Sequence, residues 1–260
     1  MTPTPTSLTK SLVNIALVAG REIMSIYATD FSAQMKSDLT PVTEADEAAE
    51  RIILEGLAKL DPNTPVISEE AAAAGRIPKV ANSFYLVDPL DGTKEFVSRN
   101  GEFTVNIARI ENGVPVLGVV YAPAIKRIFW GDVAKGAAEG AVAADGTISW
   151  KKLLVRPCPR DGATVVASRS HRDIATDDFL KTVKVAKLVS AGSSLKFCLI
   201  AAGEADLYPR FGRTMEWDTA AGHAVLLAAG GKVLNSEGQP LCYGKSERGF
   251  DNPGFIASAA

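Results

Sequence analysis

Apolar residues recur at helical spacing near the start of the chain. Leu8, Leu12, Ile15, Ala19, Ile23 and Ile26 fall on one face of a 3.6-residue repeat. The pattern predicts an amphipathic first helix over about Ser7 to Tyr27, after a short Thr/Pro leader. A second helix follows Pro41, with Thr43 as its cap and Ala45, Ala49, Ile52, Ile53, Leu57 and Leu60 as its buried stripe. The period then changes. Phe84 to Val87 is a short apolar run ending in turn residues, which reads as a buried strand. Phe103 to Ile110 alternates with period two, and Glu111-Asn112-Gly113 turns the chain in a hairpin of the three-residue class. Val116 to Tyr121 and Ile125 to Trp130 continue the alternation, so an antiparallel meander is expected.

Beyond Pro157 strands and helices alternate. Thr164 to Ala167, Lys187 to Ser190, Ala205 to Tyr208 and Lys232 to Leu234 read as strands. The stretches near Ile174 to Lys184, Ser193 to Ala202 and Trp217 to Ala229 read as helices. The class is α/β, with a boundary at Pro157-Cys158-Pro159 dividing an N-terminal half, 1–157, from a C-terminal half, 158–260.

Charge and composition narrow the possible functions. With 28 basic and 30 acidic residues the net charge is -2, so no broad basic field draws in a nucleic acid polymer. An anionic ligand needs a local site or a metal. Three cysteines, an odd number with no C-x-x-C pair, fit a reducing cytosol rather than a disulfide framework. The two histidines, His171 and His223, are too few and too far apart for a histidine-rich zinc site. No apolar run is long enough to span a bilayer.

The candidate chemistry centres on Asp88-Pro89-Leu90-Asp91-Gly92-Thr93. A turn here brings both carboxylates to one spot, with the Leu90 carbonyl between them, and hard oxygen ligands of this kind suit magnesium. Gly92 lets the backbone approach a phosphate, and the Thr93 hydroxyl is placed to orient a water. Turn chemistry alone also accounts for these residues. The other acids have ordinary explanations too. Thr43 with Asp46 fits a capping box, Glu69 and Glu70 are readable as solvated charges, and Asp218 opens an Ala-rich helix.

Taken together, the motifs are more specific. Leu86-Val-Asp-Pro-Leu-Asp-Gly-Thr93 and Glu216-Trp-Asp-Thr-Ala-Ala-Gly-His-Ala224, with Ser68-Glu69-Glu70 upstream, resemble the signatures of the inositol monophosphatase superfamily. Within it, Asp91 to Phe96 running into Asn100 to Ile107, Gly118 to Pro123, Ser168-Arg-Ser-His171 and Gly192 to Cys198 are similar to the bacterial 3′(2′),5′-bisphosphate nucleotidases of the CysQ type. Tyr208-Pro209-Arg210 stands where inositol phosphatases carry Tyr-Tyr-Glu, and an arginine suits a phosphate where a glutamate suits sugar hydroxyls.

The resemblance implies a layered α-β-α-β-α fold and a lithium-sensitive, Mg2+-dependent phosphatase using two or three ions. Glu69, Asp88 and the Leu90 carbonyl would hold one ion, and Asp88, Asp91 and Asp218 a second. Asp46 and Thr93, with Glu69, would carry the catalytic roles. Around the substrate would stand Glu69, Leu90, Asp91, Gly92, Thr93 and Asp218, with His171, Ser194, Lys196 and Arg210 selecting the nucleotide. The implied reaction removes the 3′-phosphate of adenosine 3′,5′-bisphosphate in sulfate assimilation, and extends to the 3′-phosphorylated sulfate donor. It implies a cytoplasmic enzyme, with peripheral attachment to the inner membrane face as a variant. The competing readings are an inositol or sugar phosphatase and a non-catalytic metal- or nucleotide-binding regulator.

Overall fold

The computed structural model describes residues 1–35, 41–168 and 173–259, without the side chains of residues 33–35, 41 and 42. The two predicted N-terminal helices form as α1 (Ser7–Tyr27) and α2 (Glu44–Leu60) and pack on each other. Thr6 caps α1, its hydroxyl accepting the Thr9 N–H at 3.1 Å. Between the helices, β1 (Ala33–Met35) pairs antiparallel with β2 (Pro41–Thr43).

A seven-stranded sheet follows, in the order β3 (Val66–Ser68), β4 (Ser83–Asp91), β5 (Thr104–Glu111), β6 (Val114–Ala122), β7 (Arg127–Asp132), β8 (Gly136–Val142) and β9 (Ile148–Leu153). Only β3 and β4 run parallel; the rest form the expected meander. Its period-two alternation has a direct packing consequence, because both faces are covered. Phe84, Leu86, Ala108, Ile110, Val120 and Phe129 enter one core. Their neighbours Tyr85, Val87, Val105, Ile107, Val119 and Trp130 enter the other, beneath α1 and α2. The hairpin between β5 and β6 differs from the expected class. Glu111 pairs with Val114, leaving a two-residue loop in which Asn112 (φ 51°) and Gly113 (φ 77°) both take positive φ, the primed geometry that Asn-Gly favours.

The second half supplies a five-stranded sheet. Its elements are β10 (Ala163–Ser168), α5 (Ile174–Lys181), β11 (Val185–Ala191), α6 (Leu195–Ala201), β12 (Leu207–Arg210), α7 (Glu216–Ala228), β13 (Lys232–Asn235) and β14 (Phe255–Ser258). The sheet order is β11-β10-β12-β14-β13. β14, β8 and β9 have no counterpart in the sequence reading. The Gly/Ala-rich run of β8 has little strand propensity, and it forms where β7 offers it a pairing edge.

α6 and α7 lie between the two sheets, α1 and α2 cover the first, and α5 packs on the second. The layers are therefore α-β-α-β-α. α7 sits directly on the first sheet. A Cβ at Gly118 would lie 2.4 Å from the Ala221 carbonyl, and one at Gly131 would lie 2.5 Å from Val225 Cα. These glycines let the backbones touch and bring the start of α7 over β4. The far end of α7 stops at Gly230, where φ is 92° and the Gly230 and Gly231 N–H groups close back on Leu227 and Leu226. Among the described residues no helix is long and apolar enough to cross a membrane.

Candidate active site

Asp88 and Asp91 are brought together by a strand irregularity rather than by a turn. β4 runs unbroken to Asp91, with Asp88 opposite Asn106 and Asp91 opposite Thr104, so Pro89 and Leu90 together face one residue of β5. Residues three apart on a regular strand point to opposite faces. One bulged residue resets the parity and sends both carboxylates to the side on which α6 and α7 lie. Pro89 is tolerated there because a bulge does not need its missing N–H. Leu90 turns its side chain into the opposite core, and its N–H donates to Asp88 Oδ1 at 3.0 Å. Gly92 follows at φ 92° and opens α4 (Thr93–Val97).

Two more carboxylates meet Asp88. Glu69 is the first residue of α3 (Glu69–Ala73), which follows β3 directly. Ser68 makes no side-chain cap there. Glu50 of α2 does so instead, its Oε1 accepting the N–H groups of Glu70 and Ala71 at 3.1 Å each. Asp218 stands in the first turn of α7, with Oδ2 accepting the Met215 N–H at 2.8 Å. Glu69, Asp88 and Asp218 each offer an oxygen within 4.8 Å of the others, a cluster able to hold a metal ion. Asp91 stands outside this trio. Its Oδ2 accepts the Ser194 N–H at 2.7 Å and the Asn106 amide at 3.3 Å.

The electrostatics of the cluster follow from burial and like charge. Burial, then Glu69, Asp91, Asp218 and Asp46, push the Asp88 carboxyl well above its usual range. Burial, then Asp91 and Glu69, do the same to Asp218, against the Met215 N–H and Arg210. Asp91 is pushed up to about 6 by burial, while Lys196 and the Ser194 N–H pull it back. Crowded carboxylates that repel one another this strongly are what a divalent cation would stabilise, and an all-oxygen donor set suits a hard ion. The residues present therefore fit a magnesium-type site.

Asp46 makes both the cap of α2 and a contact with Thr93. Oδ2 accepts the Thr43 N–H at 2.8 Å and the Thr43 hydroxyl at 2.7 Å, closing the capping box of α2. Oδ1 accepts the Thr93 hydroxyl at 3.2 Å, and that hydroxyl also lies 3.4 Å from the Leu90 carbonyl.

A cleft of about 520 Å³ joins the cluster to a second wall. Glu69, Asp88, Leu90, Asp91, Gly92, Thr93 and Asp218 line one part; Ser168, Ser193, Lys196, Arg210 and Arg213 line another. Lys196 and Arg210 are not solvated surface charges, being 5% and 8% exposed. Lys196 Nζ donates to the Ser193 carbonyl at 2.6 Å and lies over the Tyr208 ring, and burial lowers its pKa to about 8. Arg210 Nη2 donates to the Arg213 carbonyl at 2.9 Å.

His171 lies outside the described residues. Ser194 is 1% exposed and faces inward, its hydroxyl donating to the Asp218 carbonyl at 2.6 Å and accepting from the Asn106 amide at 3.0 Å. Ser193 lines the cleft in its place, and its hydroxyl oxygen has no hydrogen-bond partner among the described residues. Sequence reading missed Ser193, Asn106 and Glu50. The Gly192-Ser193-Ser194 triplet does not say which serine faces outward, and no local signal marks a helix capped from 20 residues away. His223 is a packed residue, its Nδ1 2.9 Å from the Tyr243 hydroxyl and its pKa lowered to about 3 by burial. The cysteines are free, with Cys198 buried and Cys158 and Cys242 exposed.

Comparison with known proteins gives the family. The model of the inositol monophosphatase family matches residues 4–258, and the chain belongs to that family. The 3′(2′),5′-bisphosphate nucleotidase CysQ of Salmonella typhimurium is 48% identical over 248 residues, covering 95% of this chain and 97% of that one. CysQ of Escherichia coli K12 is 47% identical over 246 residues, covering 94% and 96%. The crystal structure of CysQ from Bacteroides thetaiotaomicron, described as a bacterial member of the inositol monophosphatase family, superposes with a TM-score of 0.82. It is 39% identical and covers 97% of both chains.

Proposed function

We propose that this chain is a magnesium-dependent phosphatase that removes the 3′-phosphate of adenosine 3′,5′-bisphosphate, giving AMP and phosphate, and that also accepts the 3′-phosphorylated sulfate donor. The observation that carries the reading is one cleft with two ends: the carboxylate cluster of Glu69, Asp88 and Asp218, which would meet a phosphate through a bound cation, and the buried cations Lys196 and Arg210, which meet one directly. A substrate with two phosphates matches both ends, and the curated relatives bear the nucleotidase name. Clearing such a by-product belongs to sulfate assimilation in the cytoplasm.

Glu69, Asp88 and the Leu90 carbonyl would hold one Mg2+, and Asp88, Asp91 and Asp218 would hold a second. Bound magnesium supplies Lewis acidity, neutralising charge on the transferring phosphate. The rest falls to the chain. Thr93, held by Asp46 Oδ1, orients the attacking water and passes its proton toward that carboxylate. Gly92 allows the phosphate to approach the backbone. Lys196 and Arg210, with Ser193, grip the phosphate that is not cleaved. The N-terminal half thus brings the water and most metal ligands, and the C-terminal half brings Asp218 and the selecting cations.

The decisive experiment compares phosphate release from adenosine 3′,5′-bisphosphate, inositol 1-phosphate and fructose 1,6-bisphosphate, with Mg2+ and with EDTA. Fastest turnover of the nucleotide, abolished by EDTA, is expected. Faster turnover of inositol phosphate, or no release from any of the three, overturns the reading.

A further inference from the structure

Ser194 and Asn106 lie between the two ends of the cleft. The Asn106 amide donates to Asp91 Oδ2 at 3.3 Å and to Ser194 Oγ at 3.0 Å, and its own oxygen accepts the Thr104 hydroxyl at 3.0 Å. Ser194 donates its N–H to the same Asp91 oxygen at 2.7 Å and its hydroxyl to the Asp218 carbonyl at 2.6 Å. Asn106 is fully buried and Ser194 nearly so. Three elements, β4 through Asp91, β5 through Asn106 and α7 through Asp218, therefore converge on one serine.

That serine is joined to the other end of the cleft by its own backbone. Ser193 sits at φ 49°, a left-handed conformation that a serine adopts only when its surroundings enforce it. The Ser194 N–H bond to Asp91 fixes the peptide on one side of Ser193. Lys196 Nζ, donating to the Ser193 carbonyl at 2.6 Å and reaching the Ala191 carbonyl at 3.3 Å, holds the same loop from within. Gly192 completes the clamp. Its N–H donates to Glu102 Oε2 at 2.8 Å, and a Cβ there would lie 2.6 Å from the Glu102 carbonyl. Asp91 thus has one oxygen committed to the loop that carries Ser193 and leads into α6 with Lys196, which leaves the other for a cation.

We propose that Asn106 and Ser194 are positioning residues that hold the Asp91 carboxylate in one orientation and link metal binding to occupation of the second-phosphate end. This rests on the functional reading above, which assigns the two ends. Filling either end rigidifies the strained loop, so each ligand favours the other, and by thermodynamic reciprocity by the same factor.

The test titrates the full-length protein with Mn2+, following the free-ion electron paramagnetic resonance signal, with and without saturating AMP. Melting temperature reports folding in parallel. AMP is expected to tighten Mn2+ binding to the wild type. Ser194→Ala, which keeps the N–H but removes both hydroxyl bonds, is expected to weaken Mn2+ about tenfold and to bring the AMP effect close to none. Asn106→Ala is expected to do the same to a smaller degree, and it replaces Ser194→Ala as the test if that variant does not fold. Unchanged Mn2+ affinity and an unchanged AMP effect in the folded variants overturn the proposal. A wild type that binds both Mn2+ and AMP, the latter followed by calorimetry, with no effect of one on the other also overturns the proposal, whereas one that does not bind AMP overturns the assignment of the second end instead.

Discussion

One carboxylate serves two structures: Asp46 Oδ2 closes the cap of α2, while Asp46 Oδ1 accepts the Thr93 hydroxyl at 3.2 Å. Stability and chemistry are therefore separable at this pair. Thr93→Val removes the hydroxyl but keeps the shape, and about a 100-fold loss in kcat is expected with KM and melting temperature nearly unchanged. Asp46→Ala is expected to lose comparable activity and, in addition, about 1 kcal/mol of stability from the broken cap. Steady-state kinetics beside thermal melts checks both; a Thr93→Val enzyme of near-normal kcat would remove this threonine from the reaction.

The carboxylate cluster gives the metal-free protein an unusual pH dependence. Asp88, Asp91 and Asp218 all take up protons more readily in the folded chain than in the unfolded one, Asp91 with a folded value of about 6. Their contribution is thus fully present below the ordinary carboxylate range and is lost as pH rises through the folded values. In EDTA the melting temperature of the wild type relative to Asp88→Asn is expected to fall as pH rises through about 6, a comparison that cancels the opposite contributions of buried His223 and Lys196. Mg2+ is expected to raise the wild-type value most at the alkaline end. A wild type that gains stability relative to Asp88→Asn as pH rises contradicts the repulsion argument.

Lys196 and Arg210 test the second phosphate. Each charge-assisted hydrogen bond is worth about 1.5–3 kcal/mol, so Lys196→Met and Arg210→Met are expected to raise KM for adenosine 3′,5′-bisphosphate roughly tenfold or more. With adenosine 3′-monophosphate, which lacks the second phosphate, Arg210→Met should stay close to wild type, while Lys196→Met should also lose activity because Lys196 clamps the Ser193 carbonyl and faces Asp91. Equal losses of Arg210→Met on both substrates would assign this arginine to the cleaved phosphate.

Glu50 acts at a distance. Its carboxylate caps α3 through the N–H groups of Glu70 and Ala71 and so fixes where Glu69 stands. Glu50→Ala is expected to weaken Mg2+ binding about tenfold by calorimetry. Glu50→Gln, which keeps an acceptor oxygen, should retain most of the affinity. Equal behaviour of the two variants would mean that the cap does not govern Glu69.

The sequence already carried much of this arrangement. The 3.6-residue spacing of Leu12, Ile15, Ala19 and Ile23 marks α1 because one stripe must face a core. The alternation from Phe103 to Ile110 marks β5, since side chains on a strand change face at every step. A local signal of this kind also indicated Thr43 as a cap. Short, weakly apolar strands such as β8 were not legible, because their pairing partner rather than their composition makes them strands.

The sequence by itself determined the chemistry available: carboxylates at Glu69, Asp88, Asp91 and Asp218, a hydroxyl at Thr93 and cations at Lys196 and Arg210, in motifs that identify the family. Tertiary structure decided which of them meet. Asp88 and Asp91 share a face only because β4 bulges against β5, and Asp218 reaches them only because Gly118 and Gly131 let α7 lie against the sheet. Ser193 rather than Ser194 faces the cleft because Asp91 and Asp218, from two distant parts of the chain, hold Ser194 inward. Contacts such as that of Asp91 with Ser194, 103 positions apart, leave no periodicity in a sequence, so only the folded chain can show them.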